Sequence, residues 1–117
     1  MSRTPGTPMP PSAPSADNCL IIAGQVAESS DVCTTPAGIR IGRFLLDHHS
    51  GQMEAGLSRE VRCRIPVVAC GERLAQTAQQ LSPGVRVRVQ GFVGRANYRE
   101  ERGLVLHAAQ IDVLQTE

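Results

Sequence analysis

Val85, Val87 and Val89 alternate with Arg86, Arg88 and Gln90. Successive side chains of a strand point to opposite faces, so this run predicts a strand with one apolar and one cationic face. Pro83-Gly84 supplies a turn just before it. If the alternation continues past Gly91, Phe92 lies on the arginine face; if Gly91 is a bulge, Phe92 enters the core. A polar loop from Gly94 to Gly103 then carries Arg95, Tyr98, Arg99 and Arg102 and leads into a second apolar run, Leu104 to Val113.

The same period recurs upstream. Cys19 to Val26 predicts a first strand that is apolar on both faces, with Leu20, Ile22 and Val26 toward a core and Ile21 and Ala23 away from it. In so small a domain, an apolar second face implies that another subunit covers Ile21 and Ala23, making a homodimer. Gly24 inside the run marks a bulge or a bend. Ile39 to Asp47 predicts a second strand, with Phe44 and Leu46 on one face and Arg43 and Leu45 on the other. The polar, glycine-bearing stretch from Asp47 to Ser58 reads as a long hairpin loop. In a third strand, Arg59 to Ala69, Val61, Cys63, Ile65 and Val67 alternate with Glu60, Arg62, Arg64 and Pro66. Pro66 places that strand at an edge or a bulge. Leu74, Ala75, Ala78 and Leu81 recur at helical spacing and predict a short amphipathic helix over residues 72–81.

Three strands, a short helix and two more strands describe an all-β protein: a five-stranded Greek-key OB-fold barrel with its helix between strands three and four. An open sheet with one helix is the other arrangement; five strands with glycines at the corners favour closure.

Composition limits the picture further. A chain of 117 residues holds one domain. Five of the eight prolines fall in residues 1–16, a segment too poor in apolar residues to offset its chain entropy. It is expected to be a disordered leader, with the OB-fold domain at 17–117. The leader lacks the apolar centre of a secretory signal, and no run reaches the ~18 apolar residues of a membrane span. The expected location is the cytoplasm.

All twelve basic residues are arginine, and the formal net charge is only +1. Nine of the arginines lie between Arg59 and Arg102 against four acids, so the excess is local. One basic region on a near-neutral chain suits an anionic partner met by one face. Phe44, Phe92 and Tyr98 are the aromatics, and Tyr98 is the stacking candidate. Phosphate contacts by arginine are therefore expected to outweigh base stacking.

Little else carries chemistry. Cys19, Cys33, Cys63 and Cys70 show no C-x-x-C spacing and are expected to be reduced, partly buried thiols. His48 and His49 are adjacent, so on a strand they face opposite ways and cannot chelate one ion together; a surface-loop role is expected for them. No metal site, cofactor site, phosphate loop or nucleophile motif is present, and the chain is not expected to be an enzyme.

Asn18 to Val26, Thr35-Pro36-Ala37-Gly38-Ile39, Phe44-Leu45-Leu46-Asp47-His48, Ile65-Pro66-Val67, Val89-Gln90-Gly91-Phe92 and Leu106-His107-Ala108-Ala109-Gln110-Ile111 together resemble the PriB family, primosomal replication protein N. PriB is a relative of bacterial single-stranded DNA-binding protein. The resemblance covers residues 18 to about 114 in order and spacing. It implies a homodimer of OB-folds that binds single-stranded DNA and works in replication restart beside the PriA helicase and, in some bacteria, DnaT. By position it implies DNA contacts from His49, Arg59 and Arg62, and from Arg95, Tyr98, Arg99 and Arg102 in the last loop. Arg64, on the same strand face as Arg62, joins them from the alternation itself. Strongly binding family members carry aromatics where this chain has Leu57 and Arg62, and lysines where its loop has arginines. The proline-rich leader lies outside the family pattern.

Two other readings compete. A general single-stranded DNA-binding protein usually has stacking tryptophans and an acidic tail; this chain has no tryptophan and reaches Gln115-Thr116-Glu117. A protein–protein adaptor on an OB scaffold, with residual DNA contact, would lack salt-dependent binding of oligo-dT.

Overall fold

The computed structural model describes residues 17–29, 32–95 and 103–115. The leader 1–16 and the loop residues Tyr98, Arg99 and Arg102 lie outside them. The elements run β1 (Leu20–Ser29), β2 (Cys33–Thr34), β3 (Arg40–Glu54), β4 (Leu57–Cys70), α1 (Glu72–Gln79), β5 (Arg86–Arg95) and β6 (Leu104–Gln115). Among the described residues these are five long strands and one two-residue strand, with the helix between the third and fourth long ones.

The strands are ordered β1-β5-β6-β4-β3-β2, and β1 also pairs with β3, which closes the barrel. One strand serves both neighbours by changing partner midway. Leu20 to Gln25 pair with β5, whereas Gln25 to Ser29 pair with β3, with a register shift between Val26 and Glu28. The other seam is a short parallel pairing of Val67 and Val68 with Leu106 and His107. This is the OB-fold barrel that the alternation predicts, closed rather than open.

Gly24 and Gly91 stand where strands cross most closely. A Cβ on Gly24 would lie 2.1 Å from the Asp47 carbonyl oxygen, and one on Gly91 would lie 1.9 Å from that of His107. Only glycine lets two backbones approach this closely. The bend expected at Gly24 is thus a close approach beside the partner change.

The barrel is filled from the predicted faces. Val26, Phe44, Leu46, Val67, Ala69, Val87, Val89 and Leu106 form the core, with Ala78 and Leu81 from the helix region. Burying a side chain such as Phe44 contributes about 1.5–3 kcal/mol. Helix α1 closes one end; Arg40 of β3 ties down both its ends, bonding Glu72 at 2.9 Å and Gln79 at 3.2 Å. Asn18 fixes the entry of β1, donating to the Val93 carbonyl at 2.8 Å and accepting from the Val93 amide at 2.9 Å.

Three expectations are corrected, for the 47–58 stretch, the two histidines and the cysteines, and the alternative left open at Gly91 is decided. The stretch 47–58 is not a long loop: β3 and β4 stay paired out to Glu54 and Leu57, and only Ala55-Gly56 turns. Both turn residues have positive φ, 56° and 77°, as a two-residue type I′ hairpin requires. The residues read as loop because both faces of this ribbon leave the core and meet solvent, which removes the apolar alternation while the ladder persists. For the same reason His48 and His49 sit on a strand, not in a loop.

The cysteines are also corrected. All four are free and exposed. Cys63 has the parity of the core row, but it lies on the ribbon, beyond the point where the barrel interior can cover it. Cys33 and Cys70 flank Ile41 across the sheet, in the outward-facing row. Finally, Gly91 does not bulge β5: burial alternates through it and Phe92 is 49% exposed. The register shift falls opposite, where Ala109 is skipped in β6. Among the described residues, no helix is long and apolar enough to cross a membrane.

Candidate nucleic-acid interface

The β3–β4 ribbon sorts its side chains by register. Directly paired residues share a face. Leu46 and Ile65, His48 and Cys63, Ser50 and Val61, and Gln52 and Arg59 form the inner row, which keeps the parity of the core side chains as the ribbon leaves the barrel. Asp47 and Arg64, His49 and Arg62, and Gly51 and Glu60 form the outer row. The sequence-predicted residues His49, Arg62 and Arg64 are therefore brought together on one exposed face. Arg59 is not; it lies on the opposite face, beside Glu54.

Each arginine in this group is paired with a neighbouring acid, and His49 shares one of those acids. Arg64 donates to both carboxylate oxygens of Asp47, from Nε at 2.7 Å and Nη2 at 3.2 Å. That contact, first by hydrogen bonding and then by charge, raises the Arg64 pKa above its ordinary value. Glu60 Oε2 takes His49 Nε2 at 2.7 Å and Arg62 Nη2 at 3.8 Å. The His49 hydrogen bond, then the charges of His49 and Arg62, hold the Glu60 carboxyl below the usual range. Arg59 Nη1 meets Glu54 Oε1 at 2.6 Å. A shallow cleft of about 390 Å³ opens beside the outer row, lined by Asp47, His48, Arg62, Cys63 and Arg64. A larger one of about 570 Å³ lies between α1 and β6, away from this group, so volume alone does not identify the interface.

His48 serves the scaffold. Its Nδ1 lies 2.7 Å from the Ala23 carbonyl, which can only accept, so that nitrogen carries a proton. Its Nε2 meets Ser50 Oγ at 2.7 Å. The ring links β1 to β3 just where the ribbon leaves the barrel, a role for which adjacent histidines in a polar stretch give no signal.

The remaining predicted residues divide. Arg95 ends β5, exposed and opposite Leu104, at the start of the 96–102 segment. Ile21 is 56% exposed and Ala23 half-buried on the outer row of β1, opposite Gln90 and Arg88. Phe92 continues that outer row on β5 and stacks on His107, with ring centres 4.9 Å apart and planes inclined by 14°. This exposed ring is the residue that sequence reasoning left open; the unbroken alternation through Gly91 was the signal that places it outside. Among the described residues, no group of three or more histidine, cysteine or acidic side chains is placed to hold a metal ion.

Comparison with known proteins bears on the family and the fold. A family model described as "another single-strand binding protein family" matches residues 18–110. The replication restart protein PriB of Photorhabdus laumondii is 39% identical over 100 residues, which are 85% of this chain and 95% of that protein. The solved structure of PriB from Ralstonia solanacearum superposes with a TM-score of 0.75 at 27% identity, covering 86% of this chain and all of that one. A Plasmodium falciparum SSB in complex with single-stranded DNA matches with a TM-score of 0.71, covering 87% of this chain and 98% of that one. At 14% identity it shares the fold alone.

Proposed function

This chain belongs to the PriB family of replication restart proteins, within the single-strand binding family, and from that premise we propose that it binds single-stranded DNA as an accessory protein of replication restart. The observation that carries the reading is the outer row of the β3–β4 ribbon, where His49, Arg62 and Arg64 converge on one exposed face of an OB barrel. On this fold that sheet face and the adjoining loops take oligonucleotides. Arg59 on the ribbon's other face, Arg95 at the end of β5, and Tyr98, Arg99 and Arg102 after it in sequence extend the path. The protein acts as a homodimer joined across Ile21 and Ala23, and it supports the PriA helicase. It performs no chemistry of its own.

Arginines outnumber rings along this path, so binding is weak at physiological salt, nearly sequence-blind and steeply salt-dependent. Each phosphate neutralised on a single strand adds about −0.7 to the slope of log affinity against log salt. Titration of labelled oligo-dT across a salt series checks this. Replacing Arg95, Arg99 and Arg102 by alanine flattens the slope by about two units. Tyr98→Ala lowers affinity by a similar factor at every salt concentration, because stacking depends little on salt. Wild-type affinity and slope in the triple variant would remove the loop from the site. Repeating the titration with PriA present tests the partner.

A further inference from the structure

The ribbon residues assigned to DNA all have a carboxylate in place of a phosphate. Asp47 grips Arg64 with both oxygens. One oxygen of Glu60 gathers His49 and Arg62 together, and Glu54 holds Arg59 on the other face. The register builds these pairs: Asp47 stands directly opposite Arg64, and Glu60 is diagonal to His49 across the ladder. The side chains of the outer-row pairs are between 45% and 73% exposed. Ion pairs in such exposure add little to fold stability, so their effect falls on whatever else the cations bind. A carboxylate and a phosphate offer a guanidinium the same two-oxygen geometry.

We infer that Asp47 and Glu60 are built-in competitors of the DNA phosphates: each pairs with an arginine where a phosphate would sit and releases it when a strand binds. The inference rests on the DNA-binding reading of this ribbon. It makes two statements about the same exchange. Affinity is lower than the number of arginines implies, because one anion replaces another. The salt slope is shallower too, because a displaced carboxylate takes up a counterion as the phosphate gives one away.

The test is a salt series with labelled oligo-dT on the full chain, using Asp47→Asn, Glu60→Gln and the double variant. Glu72→Gln, which frees Arg40 on the helix side of the barrel, makes the same charge change away from the ribbon. The expected result is that each ribbon variant binds about two- to fivefold tighter than wild type at low salt. The slope also steepens by about 0.7 for each arginine freed. Glu72→Gln shifts affinity less than either. Ribbon variants that bind no tighter than Glu72→Gln would overturn the inference. Arg62→Ala combined with Arg64→Ala separates it from its premise. If that variant loses affinity while the amide variants gain none, the competitor role alone fails. If it binds like wild type, the ribbon is not the DNA face and both fail.

Discussion

Glu60 shows how one residue can set the behaviour of several. It is exposed to solvent, yet His49 and Arg62 both reach it, and its proton is held less tightly in the folded protein than in the unfolded chain. The sign follows from linkage: a carboxyl with a lowered folded pKa adds stability above its unfolded pKa and loses it as pH falls through the folded one. The contribution is small because solvent screens the pair. We expect the Glu60 side-chain carbon to titrate, by NMR, below the ordinary glutamate range, and His49→Ala to move its midpoint back up. A midpoint already at the ordinary value in the wild-type protein would mean that the His49 contact does not persist in solution. His48, one position away, has the opposite fate: parity alone turns it inward to bond β1.

At the scale of elements, the strand crossings carry the fold. β1 can serve both β5 and β3 because the chain is thin at Gly24, and β5 can lie against β6 because it is thin at Gly91. In both places the obstacle to a side chain is backbone, which cannot rotate away. Gly91→Ala is therefore expected to destabilise the barrel by more than about 3 kcal/mol, at the severe end for a single substitution. Thermal unfolding measures it, and a loss under about 1 kcal/mol would show that the β5–β6 ladder shifts to admit a methyl group. The β3–β4 ribbon, by contrast, is extended chain without a core beneath it. It is held by its own ladder and a two-residue turn, and its side chains are left for a ligand.

Across the whole molecule, the outer row of β1 and β5 leaves large apolar side chains exposed among Arg88 and Gln90. Ile21 on β1 and Phe92 on β5 stand exposed in neighbouring rows of the sheet, while Leu20 and Ile22 pack against the core. A second copy over this face would explain why β1 is apolar on both sides. Ile21→Glu is expected to halve the mass measured by light scattering at micromolar concentration, with the fold intact by circular dichroism. A wild-type protein that is already monomeric under those conditions would remove the proposed interface. The ribbon face and the β1 face lie on different strand pairs, so a dimer variant that still binds oligo-dT keeps the two surfaces separate.

The alternation of Val85, Val87 and Val89 with arginines, and of Phe44 and Leu46 with their neighbours, determined strands, faces and core by itself, because burial on one side leaves a period of two in any half-buried strand. The helix at Glu72–Gln79 and the homology to PriB were legible for the same reason: local spacing survives in a linear record. Three features were not local. The ribbon from Asp47 to Ser58 has solvent on both faces, so its strands leave no period. The exposure of Cys63 depends on where the barrel ends rather than on which row it occupies. The pairing of Asp47 with Arg64, 17 positions apart, and of Glu60 with both His49 and Arg62, exists only once the β3–β4 register is set. The sequence alone supplied the arginines; which acids hold them, and which face they share, was decided by the register of the folded sheet.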